Sequence, residues 1–430
     1  MSHQKYRLET LALHAGQVPD PTTLARAVPV YRTTAYQFKN SAHGANLFAL
    51  KELGNIYARL MNPTNDVLEQ RLAALDGGAA GLTLSSGTAA TYFTITNILQ
   101  HGDELVSAVN LYGGTYTMFE AILPQQNNIT ARFTPVNDFK AVRANINDRT
   151  RAVFVETIGN PVLDVADLDG YRAIAREFNL PLLVDSTFTT PVLLRPVEYG
   201  ADVVIHSLSK WIGGHGTGIG GAIVDAGCFN WKDPKFTLYN EPDKGYHGLK
   251  FGHDLGDLSS IAFALRLRTV GLRNQGPTLA PDAAWLFLQG VESLPLRMIR
   301  HCENAMKVAE YLKAHPKVEW VRYPGLPGDP SHGLALKYLP NGAGGMVVFG
   351  VRGGAEAAVK LVDNIKLFSL LANVGDAKSL IIHSASTTHS QLSEEAQAAG
   401  GLHTDLIRLS VGLEHIDDII EALDEALTLV

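Results

Sequence analysis

Residues 181–185 (PLLVD) and 202–206 (DVVIH) decide the fold of this chain of 430 residues. Each is a short apolar run that contains β-branched residues and ends in a polar side chain, and residues 151–156 (RAVFVE) repeat the pattern. Such runs are typical of buried parallel strands. Residues 168–179 (LDGYRAIAREFN) lie between two of them and place apolar side chains at helical spacing. This strand-helix-strand order predicts an α/β fold with a mostly parallel sheet and helices on both faces.

The pattern changes toward both ends of the chain. After residue 275 a long helical stretch precedes separated strand-like runs such as GGMVVFGV and LIRLSV, which predicts a smaller α+β domain. Before residue 64 the periodicity is poor and YARLMNPTND contains turn signals. We therefore expect an extended N-terminal arm at 1–63, an α/β domain at 64–274 and an α+β domain at 275–430.

Composition and charge narrow the function classes. The chain has 36 basic and 43 acidic residues, a net charge of −7 and no long run of one sign, which argues against a nucleic-acid partner. No stretch approaches the roughly 18 apolar residues of a membrane span, and the N-terminus lacks the apolar core of a secretion signal. We expect a cytoplasmic protein without a membrane partner. Cys228 and Cys302 have no metal-ligand spacing around them, so we expect no metal and no disulfide, only two buried small side chains.

The polar residues that follow the three strands point to a site. Parallel sheets of this type bind ligands outside the carboxyl ends of their strands. The residues at these ends are Glu156 followed by TIGNP with Asn160, Asp185 followed by Ser186 and Thr187, and His206 followed by Ser207, Ser209 and Lys210. A carboxylate, small hydroxyls, an asparagine and a lysine are therefore expected to converge at one edge of the sheet.

Three further stretches suggest what this edge binds. Ser86, Gly87 and Thr88 precede an apolar helix, where free amides and the helix dipole favour a phosphate. Tyr112 stands beside two glycines in NLYGGTY, which suits a planar ligand close to the backbone. Arg408, at the end of a predicted C-terminal strand, has the planar fork that binds an amino-acid carboxylate.

A phosphorylated, planar ligand with a cationic nitrogen that a lysine holds covalently is pyridoxal 5'-phosphate. Lys210 would bind the cofactor and later serve as a base, and Asp185 would keep the ring nitrogen protonated. The glycine-rich run after Lys210, in IHSLSKWIGGHGTGIGG (205–221), would clear space beside it.

Each of these residues could also have an ordinary structural role. Lys210 would then be a solvated lysine, Asp185 a cap of the next helix, and Tyr112 a core aromatic residue. Thr187 would be a helix-start hydroxyl. His206 is better explained as structural, because no second metal-type ligand lies at suitable spacing.

Three alternatives to a pyridoxal-phosphate enzyme also have to be considered. Ser207 to Lys210 match the S-x-x-K signature of acyl-serine hydrolases, but the companion SDN and KTG motifs are absent and glycines follow where that motif opens a helix. The run GHGTGIGG (214–221) is followed by strand-like GGAIVD, so the dinucleotide fingerprint fails. A catalytically silent scaffold with the same fold is the third possibility.

The chain also resembles a known family over nearly its whole length. The motifs that carry the resemblance are YARLMNPT, SSGTAA, NLYGGTY, VDSTF, HSLSKWIGGHG and IRLSVGLE. They are similar to those of the cysteine and methionine metabolism family of pyridoxal-phosphate enzymes, which implies an aspartate-aminotransferase-like (fold type I) structure. By this resemblance Lys210 binds the cofactor, Asp185 pairs with its ring nitrogen, Tyr112 stacks on the ring and Asn160 contacts the ring hydroxyl.

The resemblance implies further contacts. The phosphate would be held by Gly87, Thr88, Ser207 and Ser209, and the substrate carboxylate by Arg408 with Asn373. Tyr57 and Arg59 would reach the phosphate of a neighbouring subunit, so that the arm crosses the interface of a homotetramer built from two active dimers.

The stretches LANVGDAKSLIIHSASTTHSQ (371–391) and NWKDPKFTLYNEPDKGYHGLKF (230–251) look most like the branch of the family that acts on O-acetylhomoserine. The implied reaction is a γ-replacement, in which O-acetylhomoserine and sulfide or methanethiol give homocysteine or methionine and acetate. Cystathionine γ-synthase and methionine γ-lyase activities are the alternatives within the family. Gly114 stands where methionine γ-lyases have a cysteine, which argues against the second, and we expect the insertion near 229–253 to favour capture of the added thiol.

Overall fold

The structure is a computed structural model, and it describes residues 6–387 and 403–430. It contains the predicted sheet, which has seven strands within the described residues: β1 (Ala80–Leu84), β2 (Glu104–Ala108), β3 (Thr130–Thr134), β4 (Thr150–Glu156), β5 (Leu182–Asp185), β6 (Val203–Ser207) and β7 (Gly221–Asp225). Their order is β1-β7-β6-β5-β4-β2-β3. Strands β3, β2, β4, β5 and β6 run parallel, and β7 is antiparallel to both β6 and β1. The mostly parallel sheet is confirmed.

Helices cover both faces of this sheet, as the βαβ pattern predicts. The α-helices in the described part of the chain are Leu8–His14, Ser41–Phe48, Pro63–Asp76, Gly87–Thr96, Gly113–Thr117, Leu123–Asn127, Phe139–Asn145, Leu168–Glu177, Thr190–Leu193, Thr237–Asn240, Ala262–Arg266, Arg273–Gln275, Pro281–Ala314, His332–Tyr338, Gly354–Asn364 and Ile416–Thr428. Two π-helical segments, Met118–Ile122 and Leu267–Leu272, and two 3-10 segments, Pro196–Tyr199 and Gly256–Ile261, complete the set. Alternate strand residues therefore pack into two apolar clusters, one on each face: Val184 and Val204 belong to one, Leu183 and Ile205 to the other.

The C-terminal part forms the predicted smaller α+β domain. Its strands, as far as the chain is described, are β8 (Val318–Arg322), β9 (Met346–Val351), β10 (Ser369–Leu370), β11 (Leu380–His383) and β12 (Ile407–Ser410). They form a sheet in the order β10-β11-β12-β9-β8, in which only the β10–β11 pair is parallel. The long helix Pro281–Ala314 packs on this sheet and also contacts the helix Pro63–Asp76.

Two expectations differ from the structure. The N-terminal segment is not wholly extended, because helices Leu8–His14 and Ser41–Phe48 form within it. The first of these is held by Arg71, a buried side chain whose Nε donates to the carbonyl oxygen of Ala15 at 3.0 Å. Cys302 is buried as expected, but Cys228 is exposed, because it follows the end of β7 in a surface turn.

Two further observations concern membrane-spanning helices and the stretch 371–391. Among the described residues, no helix is both long enough and apolar enough to span a bilayer. Positions 388–391 of the stretch 371–391 lie outside the described residues.

Candidate functional site

Strands β4, β5 and β6 end side by side at one edge of the larger sheet. Glu156 is the register partner of Asp185, and Asp185 is the partner of Ile205. A cavity of about 570 Å3 lies at this edge. The predicted site residues that line it are Ser86, Gly87, Thr88, Tyr112, Asn160, Asp185, Thr187, Ser207, Ser209, Lys210, Asn373 and Arg408. The convergence that the strand ends predict is therefore present in the structure.

Lys210 follows β6 and is partly buried in the wall of this cavity. Its Nζ donates a hydrogen bond to Oδ1 of Asn373 at 2.6 Å. Burial, and to a smaller extent the positive charge of Arg408, lowers the pKa of the Lys210 amine to about 8. The amine is thus more readily available in its free, nucleophilic form than that of a solvated lysine.

Asp185 is the last residue of β5 and faces the cavity. Its Oδ1 accepts the backbone N–H of Thr187 at 2.9 Å, so it does stabilise the following turn, as its ordinary structural role would require. Burial raises the pKa of Asp185, and the hydrogen bonds from Thr187 and the charge of His206 oppose that rise. The carboxylate therefore combines a local structural contact with a position in the cavity wall.

His206 lies behind the cavity in a buried pair. Its Nε2 is 2.7 Å from Oδ2 of Asp76, and both side chains are inaccessible to solvent. Burial alone would lower the pKa of His206, but Asp76 outweighs burial and the pKa is raised. The structural assignment of His206 agrees with this geometry.

The helix Gly87–Thr96 begins at the cavity. Ser86 caps it, because its Oγ accepts the N–H of Ala89 at 3.0 Å. The amides of Gly87 and Thr88 belong to the first turn, where N–H groups have no carbonyl one turn earlier. A Cβ at position 87 would lie 2.5 Å from Cβ of Ser207, so only glycine lets the helix start come this close to the end of β6. The amides and hydroxyls at this helix start could hold an anion such as a phosphate.

Ser209 contributes to the same wall through a backbone contact. Its Oγ accepts the N–H of Gly220 at 3.0 Å and lies 3.3 Å from the Gly220 carbonyl oxygen. This contact fixes the glycine-rich run against the turn that contains Lys210. Part of that run, including Gly216 and Gly218, lines the cavity.

Arg408 comes from the smaller sheet. It is the second residue of β12 rather than its end, which corrects the expected position. It is 5% exposed, and its Nη1 donates to Oδ1 of Asn160 at 3.2 Å. Burial lowers the pKa of Arg408 to about 10, so the guanidinium stays charged at neutral pH. A buried guanidinium of this kind can pair with a carboxylate.

Tyr112 is held at the cavity by its backbone. Its N–H donates to Oε1 of Glu156 at 2.7 Å, and its side chain is 52% exposed. A Cβ at position 114 would lie 2.6 Å from Cε1 of the Tyr112 ring. Gly114 therefore leaves room for the ring, and a cysteine there would displace it.

Some predicted residues lie elsewhere. Tyr57 and Arg59 do not line the described cavity: both are exposed, and the guanidinium carbon of Arg59 lies 5.0 Å from the Tyr57 ring centroid. No residue of the 229–253 insertion lines the cavity either. The insertion instead packs an aromatic cluster, in which Trp231 stacks on Tyr239 with ring centroids 4.5 Å apart. The expectation that it shapes the site has no contact to support it.

The structure adds residues that the sequence patterns left without a role. Glu156 is the last residue of β4, as Asp185 is the last residue of β5. This strand-end position is the one sequence feature that pointed to Glu156 as a site residue. No sequence pattern indicated the apolar residues of the cavity wall, because they lie in different loops. These residues are Ile158, Phe188, Ile219, Ala372 and Val374.

The polar residues of the cavity fit pyridoxal phosphate. Lys210 offers an amine for covalent attachment, and Asp185 offers a carboxylate for a protonated ring nitrogen. The helix start at Gly87 offers amides to a phosphate, in a space that a Cβ would fill. The donor set therefore matches the aldehyde, the ring nitrogen and the phosphate of the cofactor.

Comparison with known proteins agrees with this fit. The sequence profile described as Cys/Met metabolism PLP-dependent enzyme matches residues 9–428. An O-acetyl-L-homoserine sulfhydrylase of Leptospira meyeri is 51% identical over 430 residues, which cover 99% of this chain and 97% of the relative. A homocysteine synthase of Schizosaccharomyces pombe is 50% identical over 430 residues, which cover 99% of each chain.

A solved structure is also similar. It is a putative O-acetylhomoserine (thiol)-lyase of Campylobacter jejuni, described with N'-pyridoxyl-lysine-5'-monophosphate in its chain. It is 41% identical and superposes with a TM-score of 0.95 over 98% of this chain and 100% of that one. The chain described here therefore belongs to the family of Cys/Met metabolism PLP-dependent enzymes, and its cofactor is pyridoxal phosphate.

Proposed function

We propose that the protein is an O-acetylhomoserine sulfhydrylase, which replaces the acetyl ester of O-acetylhomoserine with sulfide or methanethiol to form homocysteine or methionine. The observation that carries the proposal is one cavity that contains both Lys210, whose amine has a pKa lowered to about 8, and the buried cation Arg408. The names of the relatives from Leptospira meyeri and Schizosaccharomyces pombe support the choice of substrate and product.

Arg408 orients the substrate. Its guanidinium binds the α-carboxylate of the amino acid in bidentate fashion, and Asn160 holds the guanidinium from the other side. Asn373 accepts a hydrogen bond from Lys210 Nζ and lines the same cavity as Arg408, which supports the role beside the substrate carboxylate that the family resemblance implies. We expect a substrate held in this way to have its α-carbon within reach of Lys210.

Lys210 moves the proton. With cofactor and substrate in the cavity, the freed amine of Lys210 would remove the proton at the α-carbon. Bound pyridoxal phosphate supplies an electron-withdrawing ring that stabilises the negative charge left on that carbon. Asp185 supports this chemistry by holding a positive charge on the ring nitrogen, while Tyr112 covers one face of the ring.

The remaining polar residues of the cavity hold the cofactor in place. Gly87 and Thr88 bind its phosphate through backbone amides, with Ser86, Ser207 and Ser209 beside them. Thr187 steadies Asp185, and Asn160 contacts the ring hydroxyl in addition to Arg408.

The charges in the cavity favour an acetyl ester. Among the described residues that line it, the cations are Lys210 and Arg408. Both have a task in binding the cofactor or the substrate carboxylate. The second carboxylate of a succinyl ester would have no cation of its own among these lining residues, and an unpaired buried charge is costly. The same argument disfavours cystathionine γ-synthase activity on a succinyl ester.

Acyl-serine hydrolase and methionine γ-lyase activities lack support at the site. Residues 208–213 form turns after β6 instead of the helix that an S-x-x-K serine enzyme needs, so Ser207 is a poor candidate nucleophile. Methionine γ-lyase activity is disfavoured because Gly114 and the Tyr112 ring fill the place of the cysteine.

The arm and the assembly stay predictions. Since Tyr57 and Arg59 are exposed and away from the cavity of their own chain, we propose that they reach the phosphate site of a neighbouring subunit. A cytoplasmic homotetramer of two active dimers, with an arm at 1–63 and domains at 64–274 and 275–430, is the assembly we expect.

The test is a substrate panel. Purified protein is incubated with O-acetylhomoserine, O-succinylhomoserine or methionine, each with and without sulfide, methanethiol or cysteine, and the products are separated by mass. We expect homocysteine and acetate from O-acetylhomoserine with sulfide, slow turnover of the succinyl ester and little ammonia from methionine. A preference for the succinyl ester would assign cystathionine γ-synthase activity instead, and rapid release of methanethiol from methionine would assign methionine γ-lyase activity.

A further inference from the structure

Two carboxyl groups share the floor of the cavity. Glu156 and Asp185 end the neighbouring parallel strands β4 and β5, and they are register partners, so their side chains leave the sheet on the same face. Both line the cavity, and Glu156 is only 8% exposed. Two carboxylates this close in a buried place do not ionise together readily, because each negative charge disfavours the other.

The hydrogen bonds decide which of the two holds the proton. Asp185 accepts the N–H of Thr187 at 2.9 Å, and His206, paired with Asp76 behind it, adds a favourable positive charge. Glu156 accepts one N–H, that of Tyr112, at 2.7 Å. The surroundings therefore stabilise a negative charge on Asp185 better than on Glu156.

The direction of the Glu156 pKa agrees with this geometry. Burial raises the pKa of Glu156 well above its usual range, and the neighbouring charge of Asp185 raises it further. Among the described residues that line the cavity, the other charged groups are the cations Lys210 and Arg408, and Arg408 is already hydrogen-bonded to Asn160.

We infer that Glu156 is a positioning residue that acts as a neutral carboxylic acid: it anchors the backbone of Tyr112 and leaves Asp185 as the single anion beneath the cofactor. This hydrogen bond matters because Tyr112 is the residue directly before the helix Gly113–Thr117. Glu156 therefore fixes the backbone of Tyr112, whose side chain would cover the cofactor ring. A second anion at Glu156 would compete with Asp185 for the positive charge of the ring nitrogen. The inference rests on the proposed cofactor site, but not on the identity of the substrate.

The direct test is infrared difference spectroscopy of the holoenzyme and its Glu156→Gln variant. We expect wild type to show a carbonyl-stretch band of a protonated carboxylic acid that is missing from the variant and shifts in deuterium oxide. Other buried acids, such as Asp225, whose pKa burial raises to about 7, are present in both proteins and cancel in the difference. A difference spectrum with carboxylate bands and no acid band would overturn the inference.

A second experiment tests the positioning role by cofactor binding, with Asp185→Asn as the matched control. Glu156→Gln keeps a neutral acceptor for the Tyr112 N–H, so we expect its dissociation constant for pyridoxal phosphate within about threefold of wild type and an unchanged absorbance spectrum of the bound cofactor. Glu156→Leu removes the acceptor and should weaken binding about tenfold. Asp185→Asn should weaken it and shift the spectrum.

The inference is wrong if Glu156→Gln behaves like Asp185→Asn, or if Glu156→Leu binds cofactor as wild type does. Thermal unfolding of each variant establishes that it folds. These measurements use no substrate, so a failed sulfhydrylase assay would contradict the proposed function without contradicting the inference about Glu156. A protein that never binds pyridoxal phosphate would instead refute the cofactor site itself.

Discussion

In the cofactor-free protein, the amine of Lys210 should lose its proton near pH 8. Burial is the main cause of this low pKa, and the positive charge of Arg408 is the second. With a pKa of about 8, about 9% of the Lys210 amine is free at pH 7, whereas an ordinary lysine at 10.5 has about 0.03%. The structure thus predicts about 300-fold more free amine at neutral pH than in a solvated lysine.

Pulse labelling with an amine acylating reagent measures this directly. Cofactor-free protein is labelled briefly at pH values from about 6 to about 11, which span both pKa values, then digested, and the peptide that contains Lys210 is quantified by mass spectrometry. The exposed Lys360 in the same digest controls for the reagent. Reactivity of Lys210 should rise with pH and level off above a midpoint near 8. In Arg408→Gln the midpoint should rise, yet stay below 10.5, because burial remains. A wild-type midpoint above about 10 would refute the reasoning.

The remaining predictions concern single contacts. Arg408→Lys loses the planar fork, so kcat/KM for O-acetylhomoserine should fall about 10- to 100-fold while the cofactor absorbance stays the same; an unchanged value would remove Arg408 from carboxylate binding. Gly87→Ala puts a Cβ 2.5 Å from Cβ of Ser207, which should lower the free energy of unfolding by about 1–3 kcal/mol and weaken cofactor binding, as denaturation and absorbance titrations would show. Mixing inactive Arg59→Ala and Lys210→Ala subunits should restore part of the activity, since a hybrid dimer has one site with both groups intact, and verified hybrids without activity would contradict an intersubunit arm.

The sheet and the core of the site could be predicted because their signals are local. The apolar runs that become β4, β5 and β6 lie within a few residues of the polar groups at their ends, and parallel strands bring those ends together. The helix start at Gly87 is also a local signal. Short stretches of sequence are therefore enough to predict these features.

Long-range contacts could not be predicted in the same way. Lys210 meets Asn373 across 163 positions, and Arg408 meets Asn160 across 248, so neither contact leaves a trace in any periodicity. The chemistry of Arg408 and the family resemblance both predict it at the site, whereas only the resemblance predicts Asn373 there. Glu156 was visible as a strand-end carboxylate, but its role depends on burial beside Asp185, which only the packed structure provides.

The position of the insertion and the helices of the N-terminal segment differ from expectation. In both cases the local sequence pattern did not indicate the structure that forms. The 229–253 segment looked distinctive, but its large aromatic side chains, including Trp231 and Tyr239, pack into a core away from the cavity. The N-terminal segment has weak periodicity, yet it contains the helix Ser41–Phe48, which Asn40 caps by accepting the N–H of His43.

The measurement that tests the central claim most directly is borohydride reduction of the purified holoenzyme followed by peptide mapping. Reduction fixes the cofactor to the side chain that holds it, and mass spectrometry then locates the added pyridoxyl phosphate group. We expect that group on Lys210, and we expect Lys210→Ala to bind cofactor without becoming labelled at any other lysine. A pyridoxyl group on a different lysine of the wild-type protein, or none at all, would contradict the site described here.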